Sequence, residues 1–170
     1  WLSKIIKGLI NFFRGTPIVF QLAFFHYALP QILPFFKPTV MFSALVIFSI
    51  NSASYLSEVF RSGIESVDRG QIEAARALGV NAKQINLHIV IPQALRNILP
   101  ALFNEFIALT KETSVVQIIG LSDLMRQQSI ISANTFRYFE PLIIVGIIYY
   151  LLNIILSHLG QFIERKLKYD

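Results

Sequence analysis

Charged side chains are missing from three long stretches of the chain. Asp, Glu, Lys and Arg do not occur in residues 15–36, 38–57 or 141–163, which are 22, 20 and 23 residues long. A helix of about 20 residues crosses the hydrocarbon layer of a bilayer, whereas a buried helix of a soluble protein is usually shorter and carries a polar stripe. The pattern therefore predicts membrane-spanning helices at about residues 16–36, 39–60 and 141–163.

Two of these stretches have features that a plain spanning helix lacks. Pro30 and Pro34 remove backbone donors from the first, so we expect it not to be one straight helix and to break inside protein rather than against lipid. The second carries several serines, which favour close helix packing in membranes, and Asn51, whose amide must find partners. Pro141 lies in the first turn of the last stretch, where its missing donor costs nothing.

A fourth span is predicted at about residues 94–119, although this region is less apolar. Glu105, Lys111 and Glu112 lie within or near it. Ionisable groups in a span are costly and usually face a partner or a wet cavity. Glu105 and Glu112 are about two helical turns apart, so they are expected to share one face of the helix, with Lys111 one residue off that stripe.

Polar segments separate the predicted spans. Residues 61–84 are charged and rich in small residues, and apolar residues recur there every three or four positions, which predicts short amphipathic helices facing water. Residues 120–138 are polar again and are expected outside. Of the 15 Lys and Arg residues, most fall in the N-terminal segment, the central loop and the C-terminal tail. This bias predicts a cytoplasmic central loop and four crossings of the membrane.

Residues 1–14 form an amphipathic segment. Its apolar residues lie on one face, while Lys4, Lys7 and Asn11 lie on others, which is typical of a helix at a membrane interface. The lysines interrupt the apolar core that a signal peptide needs. The chain begins at Trp1 without an initiator Met, and we expect further helices upstream of it.

Composition supports a membrane protein without catalytic chemistry. Hydrophobic residues make up 54 % of the chain, charged residues only 15 %, and the mean hydropathy is +0.57. The net charge of +5 comes from basic residues that flank apolar runs, which indicates membrane orientation rather than nucleic-acid binding. The sequence has no cysteine, no nucleotide-binding G-x-x-x-x-G-K-[ST] and no metal-ligand spacing, and His26, His88 and His158 lie on separate segments. We therefore expect neither an enzyme nor a cofactor.

The central loop contains a long composite motif. Residues 73–79 read Glu-Ala-Ala-Arg-Ala-Leu-Gly and, nine residues later, residues 89–92 read Ile-Val-Ile-Pro. This pattern resembles the EAA signature of ABC importer permeases, with Ile91 in place of the usual Leu. A short alanine-rich helix can seat in a groove on another protein, and Gly79 can adopt the left-handed conformation that ends such a helix.

Other segments resemble the polar-amino-acid branch of that family, which includes histidine and glutamine systems. They are Arg14-Gly-Thr-Pro17 followed by Gln21, Asn51-Ser-Ala-Ser-Tyr55 with Glu58 and Arg61-Ser-Gly63, Lys111-Glu-Thr-Ser114, and Asp123-Leu-Met-Arg126. The sequence departs from the family pattern at two positions: Glu112 replaces the usual Asp, and Asn11 stands where the family commonly has Glu.

The resemblance implies an all-α, polytopic transmembrane helical bundle of the type I importer permease, with residues 15–170 as the permease domain and 61–92 as the cytoplasmic coupling loop. It implies the permease subunit of an ATP-driven amino-acid importer in the bacterial cytoplasmic (inner) membrane. Its partners would be two ABC ATPase subunits, a second permease subunit and an extracytoplasmic solute-binding protein. The implied ATPase-coupling residues are Glu73, Ala74, Ala75, Arg76, Gly79 and Pro92. ATP binding would draw the coupling helices together and open the spans outward by alternating access.

A substrate pathway is expected at the polar residues of the spans. A zwitterionic amino acid needs a cation for its carboxylate and an acid for its ammonium group, and Glu105, Lys111 and Glu112 could supply both. Asn51 and Ser54 are further candidates, and an internal ion pair that only holds helices together is the alternative for the charged set. A permease of another importer branch (methionine or phosphonate), a channel and a membrane scaffold remain alternative functions, and the channel and the scaffold would not need a loop for an ATPase.

Overall fold

The structure, a computed structural model, describes residues 1–169, with the side chains of residues 1–165, and all regular elements within them are helical. The α-helices are α1 (Leu2–Gly15), α2 (Ile18–Ala23), α3 (Leu29–Ile32), α4 (Val40–Glu65), α5 (Arg69–Ala77), α6 (Ala82–Ile85), α7 (Ile91–Glu112), α8 (Leu124–Thr135) and α9 (Phe139–Tyr169). Two π-helical turns, Phe24–Ala28 and Asn86–Val90, and a 3₁₀ segment, Thr113–Ile119, connect some of them. The predicted all-α fold is confirmed.

Within the described part of the chain, two helices are long and apolar enough to cross a membrane, and they coincide with the second and last predicted spans. They are Val40–Glu65 and Phe139–Arg165. The pair Leu2–Gly15 and Ile18–Ile32 meets the same criterion only when the two helices are taken together, and it is bent by 105°. Helix α7 does not meet it, because polar residues lower its hydropathy, so a fourth crossing stays a prediction.

The first predicted span is not a straight helix. The π turn Phe24–Ala28 lies directly before the helical turn that contains Pro30. A π turn has backbone hydrogen bonds between residues five apart instead of four. It accommodates Pro30, because proline has no backbone N–H to donate to an α-helical hydrogen bond. The helix ends before Leu33, which has a non-helical conformation, because the ring of Pro34 disfavours the α region for the residue that precedes it.

Helix α4 is longer than the apolar run that predicts it. The run ends before Glu58, but the helix continues to Glu65. Arg61 forms ion pairs with Glu58 and Glu65, three and four residues away. Pairs at this spacing lie on one side of a helix and favour the helical conformation. The polar end of the helix is therefore supported by its own side chains.

The chain divides into two compact units, each with its own core. The first comprises residues 1–55 and 108–154, and the second comprises residues 56–107 and the residues from 155 onward. The core of the first unit consists of Leu22, Ala44, Ile47, Val116 and Ile119. The core of the second consists of Val67, Ala75, Ile85, Val90, Ala94 and Ile98.

Candidate functional site

Helix α5, which contains the first part of the EAA-like motif, has well-formed ends. Asp68 caps its start, where a side-chain oxygen accepts a hydrogen bond from the Gly70 N–H at 2.8 Å. At its end the Gly79 N–H donates to the Arg76 carbonyl at 2.9 Å and the Val80 N–H to the Ala75 carbonyl at 3.1 Å. Gly79 has a φ of +78°. This is a Schellman motif, and it requires a residue that tolerates the left-handed region. The predicted helix end at Gly79 is confirmed.

The two faces of α5 differ. Ala75 is only 7 % exposed and packs with Ile85 and Val90 in the core of the second unit. The opposite face presents exposed Glu73, Ala74, Arg76 and Ala77. At the tip, Leu78 is 83 % exposed. An exposed leucine at the end of a helix that also presents an exposed acid and an exposed base can contact a protein partner.

Helix α6 returns the chain and completes a hairpin, which we call the α5–α6 hairpin (residues 68–92). Asn81 caps α6 by accepting from the Gln84 N–H at 2.9 Å. The side chain of Gln93 donates to that of Gln71 at 2.7 Å and to the Ile89 carbonyl at 3.1 Å. These bonds tie the start of α7 to α5 across the hairpin.

Pro92 lies where the hairpin becomes α7. As at Pro30, a π turn precedes it, and the Ile91 N–H donates to the carbonyl of Asn86 five residues back. The side chain of Pro92 is exposed. Its local effect is to fix this turn, because a proline cannot donate to an α-helical ladder.

Helices α4 and α7 approach closely beside the hairpin. A Cβ on Gly63 would lie 2.2 Å from Cγ1 of Ile98, a distance that real side chains do not show. Nearby, Nδ2 of Asn97 donates to the Ser66 hydroxyl at 2.7 Å, and that hydroxyl donates to the Gly63 carbonyl at 2.7 Å. Gly63 belongs to the Arg61-Ser-Gly63 segment of the sequence, but its role is not predictable from one sequence, because the close approach of two helices has no local signal.

In the first unit, two buried amide side chains and a half-buried threonine close the bend between α1 and α2. We call Thr16, Gln21 and Asn51 the bend cluster. The Gln21 amide is 4 % exposed and donates to the Phe13 carbonyl at 2.8 Å, the Thr16 carbonyl at 3.0 Å and the Thr16 hydroxyl at 2.9 Å. The last carbonyls of a helix lack intrahelical donors, and Pro17 supplies none. Gln21 therefore replaces the missing backbone donors.

Asn51 and Ser54, two predicted pathway residues, are both buried in the first unit. The Asn51 amide donates at 3.3 Å to the Phe13 carbonyl and at 3.3 Å to the side-chain oxygen of Gln21. The Ser54 hydroxyl donates to the Ile50 carbonyl of its own helix at 2.9 Å. These contacts give Asn51 a structural role in the bend cluster, and a substrate role for either residue stays a prediction.

The three charged candidates differ in exposure. Glu105 is half-buried in the second unit, whereas Lys111 and Glu112 are exposed in the first. That the three act on one ligand stays a prediction.

The Asp-Leu-Met-Arg segment is the start of a helix. Asp123 caps α8 by accepting from the Arg126 N–H at 2.9 Å and the Met125 N–H at 3.2 Å. The Tyr149 hydroxyl donates to the same carboxylate at 3.4 Å. An acid directly before a helical run is a recognisable cap, and this signal could have been read from the sequence.

The histidines near the prolines are held by single hydrogen bonds. Nδ1 of His26 lies 2.8 Å from the Ser43 hydroxyl, and Nδ1 of His88 lies 3.1 Å from the Gln84 carbonyl. Within the described residues, no three His, Asp or Glu side chains are grouped as metal ligands would be.

The comparison with known families decides which family this helical bundle represents. A model described as "binding-protein-dependent transport system inner membrane component" matches residues 1–169. The chain belongs to this family. Its members are permease subunits of membrane transport systems, so the predicted permease role is confirmed.

Relatives of this permease have names that refer to amino-acid transport. The "arginine transport system permease protein ArtQ" of Bacillus subtilis (strain 168) is 49 % identical over 156 residues, which cover 92 % of this chain and 71 % of that protein. The "putative glutamine transport system permease protein GlnP" of Rickettsia bellii (strain RML369-C) is 42 % identical over 157 residues, which cover 92 % and 72 %.

Solved structures share the architecture of this permease. The crystal structure of an amino acid ABC transporter with histidines matches with a TM-score of 0.88 and 41 % identity, covering 95 % of this chain and 75 % of that one. The inward-facing MetNI methionine transporter matches with a TM-score of 0.77 and 19 % identity, covering 98 % and 76 %. The predicted type I importer permease fold is confirmed.

Proposed function

We propose that this permease is the membrane subunit of an ATP-driven importer of polar amino acids and that the α5–α6 hairpin receives the motion of a separate ATPase. The observation that carries the proposal is the two-faced helix α5. Its inner face is anchored through Ala75 in the core. Its outer face offers Glu73, Arg76 and the exposed Leu78.

Contacts of the α5–α6 hairpin with α7, and of α7 with α4, allow a displacement of α5 to move both of these helices. The Gln71–Gln93 bond joins α5 to α7, and the contact of Gly63 with Ile98 joins α7 to α4. Packed helices and hydrogen bonds of this kind move together when one of them is pushed. A force on the outer face of α5 is therefore transmitted to those parts of α4 and α7 that belong to the second unit.

The family and the names of the relatives support a proposal for the partners and the substrate. We assign two ABC ATPase subunits, a second permease subunit and an extracytoplasmic solute-binding protein as partners, in the bacterial cytoplasmic membrane. Hydrolysis then belongs to the ATPase, and this subunit is not an enzyme. The proposed amino-acid pathway uses Glu105, Lys111 and Glu112, with Asn51 and Ser54 as further candidates.

Substitution of Gly79 tests the coupling role. Gly79→Val places a β-branched residue at a φ of +78°, where such residues are strained. Gly79→Asn is the matched control, because asparagine tolerates the left-handed region. In proteoliposomes containing the whole transporter, we expect the valine variant to lose most ATP-driven uptake and the asparagine variant to retain it. Equal uptake by wild type and the valine variant, at equal insertion, would contradict the coupling role.

Glu105→Gln tests the pathway. We expect loss of amino-acid-stimulated ATPase activity while basal hydrolysis and assembly persist, because an acid that binds the substrate ammonium is removed. Unchanged uptake kinetics would remove Glu105 from the pathway. Uptake of methionine in preference to polar amino acids would instead support another importer branch, and solute flux without ATP would support a channel.

A further inference from the structure

Helix α1 carries an apolar face that the described structure leaves exposed. None of its residues is buried. The exposed large hydrophobic residues of this face are Leu2, Ile5, Ile6, Leu9 and Phe12. An apolar stripe of this length along one helix needs a cover, either lipid or protein.

The geometry of the bend determines how α1 meets a membrane. The axis of Leu2–Gly15 turns by 105° from that of Ile18–Ile32. When the latter stands across the bilayer, a helix at a near right angle to it lies close to the membrane plane. An amphipathic helix in that plane buries its apolar face at the boundary of headgroups and acyl chains.

The charges of α1 indicate that the membrane surface it contacts is anionic. Lys4 and Lys7 are exposed and lie opposite the apolar stripe on the helical wheel, and α1 contains no acidic residue. Arg14 is engaged elsewhere, since its guanidinium lies 5.7 Å from the ring centre of Tyr55. Each lysine near an anionic membrane surface strengthens binding about fivefold.

The bend cluster connects α1 to the rest of the first unit. The Phe13 carbonyl, in the last turn of α1, accepts hydrogen bonds from Gln21 of α2 and Asn51 of α4. A membrane that holds α1 therefore also holds the start of these two helices. We infer that α1 binds a surface of anionic phospholipid through Lys4 and Lys7, and that this contact anchors the bend between α1 and the first span.

Spin labels on the full chain in lipid nanodiscs test whether the apolar face of α1 contacts the membrane. The chain has no cysteine, so Leu9→Cys places a label on the apolar face and Asn11→Cys places a matched label on the polar face. We expect the Leu9 label to be accessible to oxygen and shielded from a water-soluble nickel reagent, and the Asn11 label to show the reverse. A Leu9 label shielded from both reagents would show that protein covers the stripe and would overturn the proposal.

The lipid charge is tested with the same labels. Nanodiscs of phosphatidylcholine are compared with nanodiscs containing about one third phosphatidylglycerol. We expect the anionic lipid to move the Leu9 label deeper, and Lys4→Gln combined with Lys7→Gln to abolish that shift. Lys83→Gln, a charge removal on α6, is the control and should leave the shift intact. An equal depth in both lipids for the wild-type chain would overturn the anionic preference.

Discussion

The bend cluster and the outer face of the α5–α6 hairpin both belong to segments that resemble the permease family, but they use their side chains in opposite ways. In the bend cluster, Gln21 and Asn51 are each 4 % exposed. Both amides donate to the Phe13 carbonyl, and the Asn51 amide also donates to the side-chain oxygen of Gln21. On the hairpin, the side chains of Glu73, Arg76 and Leu78 are exposed.

This difference separates two kinds of motif residue. A buried amide with its hydrogen bonds made inside the chain contributes to folding, because an unsatisfied buried group costs about 1–3 kcal/mol. Exposed charged and apolar groups on a rigid element contribute little to folding and are available to a partner. Substitutions in the two regions should therefore give opposite results: loss of the folded protein in one, and loss of association in the other.

The largest effect is expected for Gln21→Leu. It removes the donors for two backbone carbonyls and the Thr16 hydroxyl, so we expect a loss of about 2–4 kcal/mol in stability. Gln31→Leu is the matched control, because Gln31 is exposed and its side chain donates to the Tyr27 carbonyl one turn away in the same segment. Thermal unfolding of the purified chain in detergent measures both. Similar midpoints for the two variants would contradict the structural role of the bend cluster.

Gly63→Ala tests the attachment of the hairpin to the longer helices. The new Cβ would lie 2.2 Å from Ile98, and overpacking of this kind costs about 1–3 kcal/mol. We expect a lower unfolding midpoint together with weaker coupling of ATP hydrolysis to uptake. Gly8→Ala is the control, since nothing lies within 4 Å of a Cβ at that position, and alanine favours the helix there. An unchanged midpoint for the Gly63 variant would show that α4 and α7 are not held at this contact.

The sequence was sufficient for the elements whose signal is local. Apolar runs predicted α4 and α9, and Gly79 marked the end of α5, because hydrophobicity and left-handed glycine are properties of short segments. The continuation of α4 to Glu65 is not part of the predicted span, although Glu58, Arg61 and Glu65 have the spacing of helix-stabilising pairs.

The remaining contacts depend on where distant segments lie. Asn51 is an amide that needs partners, but its partner Gln21 is 30 residues away and comes close only because α2 packs against α4 in the core of the first unit. The close contact of Gly63 with Ile98 likewise follows from the paths of two helices. Neither could be derived from one sequence, because no local pattern encodes the approach of two helices.

Leu78→Ser tests the outer face of the hairpin. Leu78 is 83 % exposed, so we expect its stability effect to be below about 0.5 kcal/mol. Association with the ATPase should weaken by about 1.5 kcal/mol, or roughly tenfold, because an apolar anchor is lost. Leu78→Met keeps the apolar volume and is the control. Pull-down of the ATPase at several concentrations measures the affinity, and full retention by the serine variant would contradict the docking face.

The smallest effect, and the one that tests the comparison most closely, is expected for Asn51→Leu. Asn51 is both a member of the bend cluster and a candidate pathway residue, and its two bonds are long, at 3.3 Å each. If it only closes the bend, the variant should lose about 1 kcal/mol in stability while the concentration of amino acid for half-maximal uptake stays within about twofold. Asn11→Leu, at an exposed position of α1, is the matched control for the loss of an amide. A tenfold rise in that concentration at unchanged stability would move Asn51 from the bend cluster to the substrate pathway, because its buried amide would then be required for transport and not for folding.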